Sequence, residues 1–227
     1  MKKLVVLTGA GISAESGIKT FRDSGGLWEQ HDVMDVASID GWYRNPSLVL
    51  EFYNQRRKQL ESAHPNRAHV LLAELEKDFD VQIITQNVDN LHERAGSRHV
   101  LHLHGELTKV RSSKSTAHVE DIVYREIHPG DLCADGSQLR PHIVWFGEAV
   151  PLIEEAERLV SEADIFAVIG TSLNVYPAAD LVTSLPQEAR AFLIDPNTVA
   201  RKLPKQFTVI KENATVGVER MIQLLGG

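Results

Sequence analysis

Short blocks of consecutive apolar residues recur along the chain, each closing on glycine, threonine or a small polar residue. Blocks of this length, apolar on both faces, suit strands buried in a parallel sheet. They predict strands at residues 3–8, at Val81-Gln82-Ile83-Ile84-Thr85, and from Val100 to His104. Further strands are expected at Ile143-Val144-Trp145-Phe146, Ile165-Phe166-Ala167-Val168-Ile169, Ala191-Phe192-Leu193-Ile194 and near 207–211. Between them the apolar period lengthens to that of helices. Asn45-Pro46 opens one that runs through Leu48, Phe52, Tyr53 and Arg56, with proline at its first position. Residues 65–78 place Ala68, Leu71, Leu72 and Leu75 on one face. Helices are also expected at 151–162, near 177–184 and at 214–225.

Strands alternating with helices imply right-handed crossovers and an α/β fold, a Rossmann-like parallel sheet with helices on both faces. Residues 108–139 break the rhythm with turn residues such as Ser112, Pro129 and Gly136. The expected organisation is one domain over 1–227. Its Rossmann-like core takes 1–29, 64–107 and 140–227, a helical insertion about 30–63, and a small module about 108–139.

A chain of 227 residues, 43% hydrophobic, can bury a sizeable core. Its net charge of -7 and lack of a basic tract argue against direct nucleic-acid binding. One cysteine, Cys133, excludes an internal disulfide and a thiolate-rich zinc cage. No apolar run approaches the roughly 20 residues of a membrane span. A cytoplasmic monomer is the expectation.

Gly9-Ala10-Gly11-Ile12-Ser13-Ala14 follows a strand and opens a helix. Such a turn lets backbone approach a pyrophosphate at a helix N-terminus, and it equally fits a tight turn with no ligand. A simple dehydrogenase would follow with a second strand ending in an acidic residue about 20 residues on. Thr20-Phe21-Arg22-Asp23-Ser24-Gly25-Gly26-Leu27-Trp28 is instead a glycine-bearing loop, and Asp32 lacks strand context.

The opening motif continues Glu15-Ser16-Gly17-Ile18, then Phe21-Arg22 and Gly26-Leu27-Trp28. Later come Thr85-Gln86-Asn87-Val88-Asp89-Asn90-Leu91-His92 and His104-Gly105-Glu106-Leu107. Arg140-Pro141-His142-Ile143-Val144-Trp145-Phe146-Gly147-Glu148 and Gly170-Thr171-Ser172-Leu173-Asn174-Val175-Tyr176-Pro177 complete the set. In order and spacing these resemble the motifs of sirtuins, from the first strand almost to the end.

The resemblance implies a transferase that consumes NAD as co-substrate to deacylate lysine side chains of proteins. The products are lysine, nicotinamide and O-acyl-ADP-ribose. It makes His104 the catalytic base toward a ribose hydroxyl, work for which an imidazole titrating near neutrality is suited. Asp89 would hold the nicotinamide carboxamide, Asn87 the ribose or a water, and Gln86 the ribose, with Val88 beside them. Gly9, Ala10, Gly11, Ser13, Glu15, Phe21, Arg22 and Trp28 would line the cofactor. Gly170, Thr171 and Ser172 would meet its adenosine half, with Asp195, Pro196, Asn197 and Ala214. Asp195 departs from the asparagine the family often carries there. Val144, Phe146, Gly147 and Glu148 on one side, and Asn174, Val175 and Tyr176 on the other, would flank the substrate peptide as an added strand.

Tyr53 and Arg56 lie three apart on a predicted helix and so share a face. They resemble the pair of sirtuins that act as desuccinylases and demalonylases. A guanidinium fork takes a carboxylate with two parallel hydrogen bonds, and a phenol adds a third. Many sirtuins also hold a structural zinc on two Cys-x-x-Cys pairs. Here Ser112 and Ser115 stand for the first pair, and Leu132, Cys133 and Asp135 surround the second, so no zinc is expected. Competing functions are protein ADP-ribosylation, a non-catalytic NAD sensor and a Rossmann-type oxidoreductase. Intact His104, Asn87 and Asp89 argue against the sensor, and the loop at 20–28 against the oxidoreductase.

Overall fold

Alternate residues of strand β1 (Lys3–Thr8) enter two different cores. Leu4 and Val6 pack on one face of the sheet, Val5 and Leu7 on the other, which is why the run is apolar throughout. Strands β2 (Asp80–Thr85) and β3 (Val100–His102) continue outward from β1 on one side. Strands β4 (Gly105–Ser112), β5 (Val119–Asp121) and β6 (Leu139–Ile143) form a separate antiparallel sheet, order β5-β4-β6. Strands β7 (Ile165–Ile169), β8 (Arg190–Ile194) and β9 (Phe207–Ile210) then extend the main sheet on the other side of β1. Its order is β3-β2-β1-β7-β8-β9 and every pairing is parallel. This computed structural model describes residues 1–18, 31–197, 199 and 202–226.

A single turn, α1 (Gly11–Ala14), follows β1. Helices α2 (Val33–Val36), α3 (Ile39–Arg44) and α4 (Pro46–Ser62) make the insertion before α5 (Arg67–Glu74). Asn45 caps α4 through Oδ1 to Leu48 N at 3.1 Å, and Pro46 occupies the first turn. Asn66 and His69 form a reciprocal capping box on α5. Short α6 (Leu91–Ala95) leads into β3, and α7 (Ile153–Ser161) and α8 (Ala214–Leu225) follow later. Helices α5 and α8 cover one sheet face. Helix α7 and a 3-10 helix at Ala178–Thr183 cover the other. A third core joins α2, α3 and α4 to the small sheet through Trp42, Phe52, Tyr53, Leu107, Val110 and Trp145. Each fully buried aliphatic or aromatic side chain adds roughly 1.5–3 kcal/mol of transfer free energy.

Several expected boundaries move. The strand expected at 143–146 ends at Ile143 and belongs to the small sheet, because it pairs with β4 from Gly105 onward. That sheet therefore reaches beyond 108–139 at both ends. The strand expected to reach His104 stops at His102. The segment near 177–184 is 3-10 rather than α-helical, and residues 65–78 give α5 followed by a 3-10 turn at Leu75–Lys77.

Candidate active site

The chain runs outward from β1 through β2 to β3, then returns to lay β7 against the other side of β1. The sheet order reverses between β1 and β7, and a crevice outside their carboxyl ends is the binding position of such sheets. Here the glycines interlock the two loops. Gly9 N donates to Ile169 O at 3.0 Å and Gly11 N to Gly170 O at 2.8 Å. A Cβ on Gly9 would lie 2.7 Å from Thr171 Cβ, and one on Gly11 2.6 Å from Gly170 Cα. These two amides are engaged by the end of β7 and by the loop that follows it, and α1 has only four residues. Glu15 faces α8: its carboxylate accepts from Thr215 N at 3.0 Å and Thr215 Oγ1 at 2.8 Å. It thus caps α8, whose own N-cap Asn213 makes no side-chain bond. Phe21, Arg22 and Trp28 lie outside the described residues.

The loop after β2 supplies the polar groups. Asn87 N donates to Thr85 Oγ1 at 3.0 Å. Its Nδ2 donates to Gly9 O at 3.1 Å and Ser13 Oγ at 3.3 Å, which leaves Oδ1 without a hydrogen bond among the described residues. Ser13 in turn donates to Asp89 Oδ2 at 3.0 Å, and Leu91 N to Asp89 Oδ1 at 3.1 Å. Each carboxylate oxygen retains a further lone pair. Burial raises the Asp89 pKa, opposed by the Leu91 and Ser13 bonds. Gln86 Nε2 donates to Thr171 Oγ1 at 3.1 Å, which bridges the loops of β2 and β7. Val88 ties the loop to β4, its carbonyl accepting from Leu107 N at 2.8 Å.

His104 occupies the short link between β3 and β4, where the chain leaves one sheet for the other. Gly105 makes that turn possible, with φ +80 and a hypothetical Cβ striking the His142 carbonyl. The backbone carbonyl of His104 accepts from Val144 N at 2.9 Å. Its Nδ1 lies 3.0 Å from Gln86 O. A carbonyl can only accept, so Nδ1 carries the proton and neutral Nε2 keeps its lone pair. Burial lowers the His104 pKa, partly offset by the Gln86 bond. Behind it, His102 bonds Asn87 O at 3.1 Å and Glu93 Oε1 at 2.7 Å.

Tyr53 and Arg56 lie three apart on α4, with Tyr53 in the buried core beside Trp145. Arg56 lines a small cleft with Ile18, Gln59, Leu60, Asp89 and Leu107. Burial lowers its pKa, opposed by Tyr53 and Asp89. Glu148 does not reach outward. Its carboxylate takes Arg140 Nη1 and Nη2 at 2.8 and 2.9 Å, Arg111 Nη2 at 3.1 Å and Trp145 N at 2.9 Å. The backbone of Phe146 is also engaged, its N–H to Ala37 O at 2.9 Å and its carbonyl from Ile39 N at 3.0 Å. Gly147, Asn174, Val175 and Tyr176 are exposed and Val144 half-buried. Ser172 is half-buried beside buried Thr171, and Ala214 is buried at the start of α8. Asp195 closes a turn on Asn197 N at 2.8 Å, and Pro196 is exposed.

Sequence reasoning missed Arg140 and Trp145 as partners. The Arg140 guanidinium lies 3.5 Å from the Trp145 ring centroid. Only their position in one motif hinted at it. In the small module, Ser112 Oγ and Ser137 Oγ each donate to Asp135 at 2.6 Å. Among the described residues no group of three His, Cys, Asp or Glu is placed to hold a metal, and no helix is long and apolar enough to cross a membrane.

The crevice fits a dinucleotide: it lies at the switch point, glycine allows its two loops to meet closely, and the polar groups of Gln86, Asn87, Asp89 and His104 gather beside it. Comparison with known proteins agrees. The Sir2 family model matches residues 9–177. An NAD-dependent protein deacylase of Bacteroides thetaiotaomicron is 58% identical, covering 99% of this chain and 98% of its own. One from Helicobacter pylori is 56% identical over 99% and 96%. A solved Sir2 homologue in complex with NAD is 38% identical with TM-score 0.89, covering 99% of this chain and 90% of that one. The chain therefore belongs to the Sir2 family.

Proposed function

We propose that this chain, an NAD-dependent protein deacylase, removes acidic acyl groups of the succinyl and malonyl type from protein lysines, and acetyl groups less well. The observation that carries the acyl preference is Arg56, which opens into the same cleft as Asp89. A guanidinium there would pair with a terminal carboxylate, a group that acetyl does not offer. NAD supplies an electrophilic ribose carbon once its nicotinamide departs. The protein's part is to hold and move protons around it. In this reading His104 Nε2 accepts the proton of a ribose hydroxyl, and the Nδ1 bond to Gln86 O keeps the ring in that tautomer. Asn87 Oδ1 orients a donor of the ribose or a water. Asp89 accepts from a carboxamide, braced by Ser13 and Leu91. Thr171 and Ser172 stand at the adenosine side, and Phe146 and Tyr176 flank the peptide.

Nicotinamide release from NAD, measured with and without a succinyl-lysine peptide, tests the reaction. Release should depend on the peptide and yield free lysine. Release without peptide, or label transferred to protein, would favour ADP-ribosylation. Arg56→Met tests the preference. Losing two charge-assisted bonds, together worth about 3 kcal/mol, should lower desuccinylation about 100-fold. Deacetylation should lose far less, and equal losses on both substrates reject the acidic-acyl reading.

A further inference from the structure

Trp145 is 2% exposed and held on several sides. Arg140 stacks on its face, Glu148 takes its backbone N–H at 2.9 Å, and Trp42 packs against it at 5.5 Å between ring centroids. Its indole Nε1 lies 2.9 Å from Tyr53 Oη. An indole N–H can only donate. The phenol oxygen is therefore the acceptor in this bond, and its own hydrogen must point elsewhere. That hydrogen has no acceptor among the described residues, and Tyr53 is only 1% exposed. A buried donor left unpaired is costly, and proteins seldom tolerate one without a use. Burial also raises the Tyr53 pKa, so the phenol stays a donor at neutral pH.

We infer that Trp145 is a positioning residue for acyl selection: its indole N–H occupies the Tyr53 oxygen and so turns the phenol hydrogen toward the carboxylate of an acidic acyl group. This rests on the acidic-acyl reading above. It also gives Arg140 and Glu148 a purpose, since Glu148 anchors both the Trp145 backbone and the guanidinium that stacks on the ring. A guanidinium on the face of an indole withdraws electron density and strengthens its N–H as a donor.

The test is the ratio of kcat/KM for succinyl-lysine over acetyl-lysine peptides. Trp145→Phe removes the donor. A second variant places 3-benzothienylalanine at position 145, which keeps the bicyclic shape and lacks only the N–H. Both should lower the ratio about tenfold, chiefly through KM for the succinyl peptide, because the lost contact is made in the bound state. Neither should lower it further in a Tyr53→Phe background, where no hydroxyl remains to orient. An unchanged ratio with the benzothienyl residue, or an equal fall in both backgrounds, overturns the inference. Arg56→Met separates the two ideas. If it is selective while the position-145 variants are not, only the role of Trp145 fails. If Arg56→Met is itself unselective, the acyl reading fails first.

Discussion

His104 gains its chemistry from one backbone carbonyl and from partial burial. The bond to Gln86 O assigns the proton to Nδ1, and loss of solvent holds the imidazole below its ordinary 6.5. A base with lowered pKa stays neutral, and so competent, further into acid. The acid limb of kcat/KM should therefore have its midpoint below pH 6.5, and His104→Ala should reduce the rate by roughly 100-fold or more. A midpoint at or above 6.5, or a fully active alanine variant, would remove His104 from this role. That His104, Asn87 and Asp89 gather around one loop was legible because their motif order is distinctive. The fates of Glu15 and Glu148 were not. A carboxylate in a motif looks the same whether it meets a ligand, caps a helix 200 residues away or clamps two arginines. Only folding brings Thr215 and Arg140 to them. Trp145 was hidden for the same reason, since its partner Tyr53 lies 92 positions earlier.

Among elements, the small sheet carries a serine–aspartate cluster at the end of β4. Ser112 sits there and accepts from Lys114 N at 3.0 Å and Ser115 N at 3.1 Å. The bonds from Ser112 and Ser137 hold the Asp135 carboxyl down at about 2, below its ordinary 3.8. A depressed carboxylate contributes fully above the ordinary value and loses its effect as pH falls through the folded one. The amides of Lys114, Ser115 and Ser137 should therefore stay protected from hydrogen exchange above pH 3.8 and lose protection as pH drops through about 2. Asp135→Ala should release them at every pH. Wild-type protection in that variant, or one equivalent of zinc per chain in metal analysis, would contradict the hydrogen-bonded clamp. The parallel strands were readable from unbroken apolar runs. The strand expected at 143–146 was displaced because Ile143 pairs with Gly105 in an antiparallel sheet, a non-local choice that no local pattern records.

At the scale of the whole molecule, two halves of one sheet meet at the β1–β7 seam, and the crevice exists because they meet closely. Three glycines set that distance. Gly170 has φ +63, which favours glycine, and a Cβ there would collide with Ile12 N and Gly11 C. Its amide is also bonded to Ile194 O at 2.9 Å, so the loop cannot back away without breaking the β8 edge. Gly170→Ala should thus cost both left-handed strain and overpacking, about 2–5 kcal/mol together. The loss should appear as a lower midpoint in chemical denaturation with an unchanged slope, since the surface exposed on unfolding is the same. Opening the seam should also separate Gln86 from Thr171, now 3.1 Å apart, and weaken binding of NAD measured by calorimetry. The coupling of the two effects is the point at issue. If Gly170→Ala destabilises the protein yet binds NAD as tightly as the parent, the crevice does not depend on the close seam, and the dinucleotide must be held by the β2 and β3 loops alone.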